Sequence, residues 1–135
     1  MAFDPTEFMH TAMPFGKEMG MRAVALDKDA VILELDWAHE LTTSGEILHG
    51  GAVMALADAA GGCCAFIHLP EGAAGTATIE SKTNMLRAVR SGTIRASSSV
   101  LHVGSSTIVV ETEIRDDQDR LVAKTTQTQA VLRAS

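Results

Sequence analysis

Three consecutive residues, His49-Gly50-Gly51, and one carboxylate nine positions after the histidine, Asp58, carry the most chemical potential in this 135-residue chain. Two glycines at a helix start let another molecule approach the backbone closely. The unpaired N–H groups of a helix N-terminus also favour negative charge that develops beside them. Gly50 and Gly51 are therefore candidate donors to an oxyanion. The same step is also the form of an ordinary glycine-rich helix start with His49 as its cap, and spacing alone leaves both readings open. Asp58 lies in Ala55-Leu56-Ala57-Asp58-Ala59-Ala60-Gly61-Gly62, the only acidic residue between His49 and His68. Burial among such neighbours would disfavour its charged form, as suits a general base or a nucleophile; the plainer alternative is an acid on the helix's one wet stripe.

Geometry constrains how these groups can cooperate. Eight residues separate Gly50 from Asp58, about 12 Å along a helix, too far for both to serve one carbonyl. Two such helices running antiparallel about a two-fold axis would bring the helix start of one subunit to the Asp58 of the other. The expectation is an obligate dimer or a higher oligomer with composite sites.

Other residues offer less. His10, His39, His68 and His102 lack ligand spacing, so no metal is expected. Cys63 and Cys64 are vicinal in a helix middle without positive charge, which favours small buried residues over a nucleophile. No phosphate-binding glycine loop is present, no cofactor is expected, and Gly61-Gly62 reads as a place of close approach by another element. Lys82, Arg87, Arg90 and Arg95 cluster near one strand end and could dock an anionic tail, although a solvated turn has the same composition.

The elements that must position these groups follow from periodicity. Asp4-Pro5 caps an N-terminal helical segment, within residues 1–18, that carries Phe8, Met9, Ala12 and Met13, with Gly16 and Gly20 bracketing its end. Residues 21–26 and 31–37 form two strands around an Asp27-Lys28-Asp29 turn. Val53, Leu56, Ala57, Ala60, Cys63, Cys64 and Ile67 recur at helical spacing, with Ala and Gly on the remaining face. That pattern predicts a central helix buried on every side and ended by Pro70 and Gly72. Four further strands, at about 76–86, 92–103, 105–115 and 120–132, are joined by short turns and read as an antiparallel meander. A long helix beside a curved antiparallel sheet is an α+β layering, and residues 1–135 read as one domain.

Composition narrows the function. A net charge of −6, one Trp, four Phe and no Tyr provide neither the basic footprint nor the stacking platforms of a nucleic-acid binder. The apolar stretch from Ile47 to Leu69 carries His49, Asp58, His68 and several glycines, so it reads as a core helix and no membrane partner is expected. The N-terminus lacks the pattern of a signal peptide and the two cysteines form no disulfide framework, so a cytoplasmic location is expected.

His49-Gly50-Gly51, Asp58, Thr78-Ile79-Glu80 and Met85-Leu86-Arg87 ahead of Gly92 together resemble the hotdog-fold acyl-CoA thioesterases, most closely the phenylacetic-acid-degradation (PaaI) branch. Val103-Gly104 and Leu121-Val122-Ala123-Lys124 fit the same pattern, so the resemblance runs from about Met13 to Val131. It implies a curved antiparallel sheet wrapped around the long helix, assembled as dimers and usually as a dimer of dimers. It implies an acyl-CoA substrate with a small aromatic or medium-chain acyl group. Gly50 then gives its N–H to the thioester carbonyl, Asp58 comes from the facing subunit, His49 orients the thioester, and Thr78 positions water or the carboxylate. Thr43, at a position where the family often has Asn or Gln, is a substrate-binding candidate, as are Gly51 beside Gly50 and, from the basic cluster, Arg87 and Arg90. The chain departs from the family pattern in having Thr43 where Asn or Gln is frequent, Glu46 where Gly is usual, and Ala88 where Pro often follows Leu-Arg. A non-catalytic acyl-CoA-binding hotdog protein is the alternative from another class, and a hotdog dehydratase lacks a supporting His and carboxylate pattern.

Overall fold

The computed structural model describes residues 2–134. The N-terminal segment is two helices rather than one, α1 (Pro5–Ala12) and α2 (Pro14–Met19). Pro14 has no N–H to continue the ladder and disfavours the helical conformation at Met13, which breaks the segment there. Asp4 starts α1 by accepting hydrogen bonds from the Thr6 and Glu7 N–H groups. The following strands, β1 (Arg22–Leu26) and β2 (Val31–Asp36), form the expected hairpin. Its turn is closed by Asp27, whose side chain accepts from the N–H groups of Asp29 and Ala30.

The long helix, α3 (Gly50–Ile67), is followed by β3 (Ala73–Met85), β4 (Thr93–Val103), β5 (Thr107–Arg115) and β6 (Leu121–Arg133). All pairings are antiparallel, in the order β1-β2-β4-β5-β6-β3. β4, β5 and β6 are a meander as expected. β3 is not its first member: it pairs with β6 at the far edge, and β4 takes its place beside β2. The reason lies in the connection over residues 86–92, which is a crossing and not a hairpin turn. Val89 is buried within it, its carbonyl accepts the Leu48 N–H, and the Leu86 and Arg87 N–H groups bond to Val122 at the start of β6.

One face of the sheet curves around α3, which packs against all six strands. Leu33, Leu35, Ile94, Ile108, Ile114 and Leu56 are shielded almost completely there. Each such side chain contributes about 1.5–3 kcal/mol relative to exposure. By length and composition α3 would also suffice to cross a membrane, but half of it is packed inside the fold. It is not enclosed on every side. A stripe through Met54, Asp58 and Phe66, four residues apart at each step with Gly62 between, faces outward. The small residues on the helix's other faces are there because the sheet comes close.

Candidate active site

His49 is the N-cap of α3, and its Nδ1 accepts the Gly51 N–H at 2.7 Å. Accepting requires a bare lone pair on Nδ1, so a neutral His49 carries its proton on the outward Nε2. The His49 carbonyl accepts from the Ala52 and Val53 N–H groups. The Gly50 N–H has no partner among the described residues. Gly51, expected as a substrate donor, is therefore engaged by His49, and Gly50 holds the free N–H. A cleft of about 390 Å³ opens beside it, lined by Thr43, Gly50, Met85, Leu86, Arg87 and neighbouring apolar residues. Three of the residues singled out by sequence thus share one wall. Arg90 is exposed on the adjoining loop but outside that lining, and Arg95 is committed to Glu34 by two hydrogen bonds.

Asp58 lies on the outward stripe of α3 and is exposed, contrary to the burial considered above. Exposure leaves it solvated, while two donors fix its geometry. Thr78 donates to Asp58 Oδ1 at 3.3 Å and Gln127 Nε2 donates to the same oxygen at 3.2 Å. Gln129 Nε2 in turn donates to Thr78 Oγ1 at 2.7 Å, which leaves the hydroxyl's only proton for Asp58.

Thr78 reaches this position through a bulge. Thr78 pairs with Gln129 and Glu80 with Thr128, so Ile79 is an extra residue in β3. Farther along, Ser81 and Thr83 sit opposite the inward Gln127 and Thr125. Without the bulge that alternation would turn Ile79 toward the helix and Thr78 away. Bulges re-aim side chains in this manner beside functional sites.

A second cleft, of about 450 Å³, joins Asp58, Thr78 and Gln129 to an apolar wall from α1 and α3, including Phe8, Met13, Gly62 and Phe66. The Gly50 and Asp58 groups therefore face different clefts of one chain. Of the methionines, Met9 and Met13 line the second cleft, Met85 lines the first, and Met54 lies on the open stripe. Burial pushes both the Cys63 and Cys64 thiols up to about 11, which makes them poor nucleophiles. His10 contacts the Met21 carbonyl and His68 the Cys64 carbonyl.

Gln127 and Gln129 escaped the reading of the sequence. The signal was available: Ala123, Thr125, Gln127, Gln129 and Val131 keep one strand phase. Two glutamines aimed into a core need partners.

A family model described as the thioesterase superfamily matches residues 45–123. A protein of Saccharolobus solfataricus named as an esterase is 32% identical over 117 residues, 87% of this chain and 82% of its own length. The 1,4-dihydroxy-2-naphthoyl-CoA hydrolase of Escherichia coli is 34% identical over 86 residues, 64% of this chain and 62% of that enzyme. The Escherichia coli PaaI protein superposes with a TM-score of 0.85, covering 96% of this chain and 91% of its own, at 21% identity. At that identity the last similarity speaks to fold.

Proposed function

The chain belongs to the thioesterase superfamily and has its hotdog architecture, and from that premise we propose that it hydrolyses acyl-CoA thioesters whose acyl group is small and aromatic or of medium chain length. The observation that carries this reading is the division of labour along α3. A free N–H at Gly50 and a carboxylate held by two donors at Asp58 lie about 12 Å apart and face separate clefts. A second copy with its α3 antiparallel completes the site, so the working unit is a dimer. Two dimers pairing further would give the tetramer usual in such folds.

In that composite site the thioester carbonyl accepts the Gly50 N–H, and the helix N-terminus favours the negative charge that forms on its oxygen. The His49 ring, exposed and held by the Gly51 N–H, lies at the same helix start. Asp58 of the facing subunit takes a proton from water as the water oxygen bonds to the carbonyl carbon. The C–S bond then breaks, and the CoA thiolate recovers the proton. Direct attack by Asp58 on the carbonyl carbon uses the same geometry: the C–S bond breaks, the CoA thiolate leaves with a proton from solvent, and water opens the resulting acyl–Asp58 anhydride to the free acid and the carboxylate. The Phe8, Met13 and Phe66 wall supports an apolar acyl group, and the Escherichia coli relative is named for an aromatic acyl-CoA. Thr43 and Arg87 line the cleft beside Gly50, which supports a role for them, and for the nearby Arg90 on the same loop, at the CoA end of the substrate.

The test follows free CoA release with a thiol reagent over phenylacetyl-type, benzoyl-type and straight-chain acyl-CoAs. Asp58→Asn, nearly isosteric, is expected to keep the fold and oligomer while lowering kcat about 10²- to 10⁴-fold, the range of a lost general base. Unchanged turnover overturns the assignment. Tight binding without CoA release by the wild type supports a binding protein instead.

A further inference from the structure

We infer that Gln127 is a positioning residue for Asp58, and that Gly61 is a glycine so that Gln127 can reach it. The inference rests on the catalytic reading of Asp58 given above. Gln127 is completely shielded from solvent, while Asp58, which it contacts, is exposed. A buried amide costs free energy unless both its ends are paired. Only one end is paired here. Nε2 donates to Asp58 Oδ1 at 3.2 Å, while Oε1 is a buried acceptor with no partner among the described residues. A methionine of similar size would avoid that unpaired oxygen, so packing alone does not account for glutamine.

The helix is shaped to admit the amide. A Cβ on Gly61 would lie 1.8 Å from Gln127 Oε1 and 2.5 Å from its amide carbon, closer than atoms can approach. Gly62 is different, because a Cβ there would meet nothing within 4 Å. Alanine at 61 would favour the helix by about 1 kcal/mol, so its absence is explained by the glutamine beneath it. The amide's direction is also determined. Turning it over would set Oε1 against the Asp58 carboxylate and bury an unpaired NH2, so the donor faces Asp58.

With Gln127 and Thr78 both bonded to Oδ1, one carboxylate oxygen is held and the other, Oδ2, is left for water or the acyl carbon. Gln129 completes the pair of glutamines by acting through the Thr78 hydroxyl. Such second contacts hold a reactive group within the narrow geometry that efficient proton transfer or attack requires.

Two substitutions test this. Gln127→Met removes the donor and the unpaired acceptor together. The expected result is a fall in kcat of about 10- to 100-fold, the size of one hydrogen bond to a charged group. KM should stay nearly unchanged and the Tm should hold or rise. Gln127→Glu replaces the amide with a group that donates only when protonated. It is wholly enclosed, its strand neighbours are Val110 and Ser81, and Asp58 is the charged group that α3 turns toward it. Burial and that negative neighbour both favour its protonated form. Gln127→Glu should therefore work at low pH and lose kcat as pH rises, adding an alkaline limb that the wild type lacks. Wild-type kcat in Gln127→Met, or a kcat that falls only together with Tm, overturns the inference, as does a Gln127→Glu profile of wild-type shape. If Asp58→Asn retains full turnover, the catalytic reading fails first; if Asp58→Asn is inactive and Gln127→Met fully active, the positioning role alone fails.

Discussion

β5 and β6 lie side by side and turn the same face toward α3, yet they present it with opposite chemistry. From β5 come Ile108, Val110 and Ile114, with Thr112 the one polar residue; from β6 come Thr125, Gln127 and Gln129, flanked by Ala123 and Val131. All are almost wholly shielded. Within the sheet Ser98 pairs with Thr112, Thr83 with Thr125 and Gln129 with Thr78, while Gln127 reaches across to Asp58 on α3. One strand is built for cohesion, the other to support a charged group at the surface. A buried position is thus no guide to whether a residue serves the core or the site; the identity of what it touches is.

That contrast can be broken from either side. Ile108→Ala on the cohesive strand should cost about 2–5 kcal/mol of stability, read by chemical denaturation, while kcat per folded molecule stays at the wild-type value. A fall in kcat with stability intact would erase the distinction. On the supporting side, Gly61→Ala should be clearly destabilising in the wild type and well tolerated in a Gln127→Ala background. The coupling in that double-mutant cycle should fall within about 0.5–3 kcal/mol, the range for residues in contact; additive effects would show that the two do not touch.

The outer face supplies the smallest effect. Arg95 hydrogen-bonded to Glu34, and Arg22 hydrogen-bonded to Asp36, hold both carboxyls below their ordinary range. Their stabilisation is present above the pKa of an unfolded carboxylate and is lost as pH falls through the lowered folded values. Arg22→Ala should cost under about 1 kcal/mol at neutral pH, less in high salt, and nothing in acid. A larger penalty, or one that grows on acidification, would contradict this.

Much of the molecule was legible in its residues. The three- and four-residue spacing from Val53 to Ile67 marked α3, because burial against a layer imposes that period, and the strands after residue 76 were marked by their β-favouring Thr, Val and Ile between turn residues. Strand order was not legible. Ser91-Gly92 has the composition of a tight turn, and only the burial of Val89 and the bonds to Val122 show that the chain crosses the sheet there. Asp58 was identified by its isolation among small residues, but that isolation left its exposure undetermined, since Ala and Gly suit a face close to a sheet and a face awaiting a partner alike. The bulge at Ile79 has no local signature, and it alone brings Thr78 to Asp58.

The capping of α3 bears on which oxygen ligands its N-terminus suits. An uncapped helix N-terminus presents several N–H groups in a fan, a geometry that welcomes tetrahedral oxyanions with many oxygens. Here the His49 ring takes the Gly51 N–H and its carbonyl takes that of Ala52 as well as the ordinary helical bond from Val53, so among the described residues the Gly50 N–H is the one left without a partner. One free N–H is a geometry that suits a single planar oxygen better than a tetrahedral anion such as phosphate or sulfate, which several N–H groups would hold.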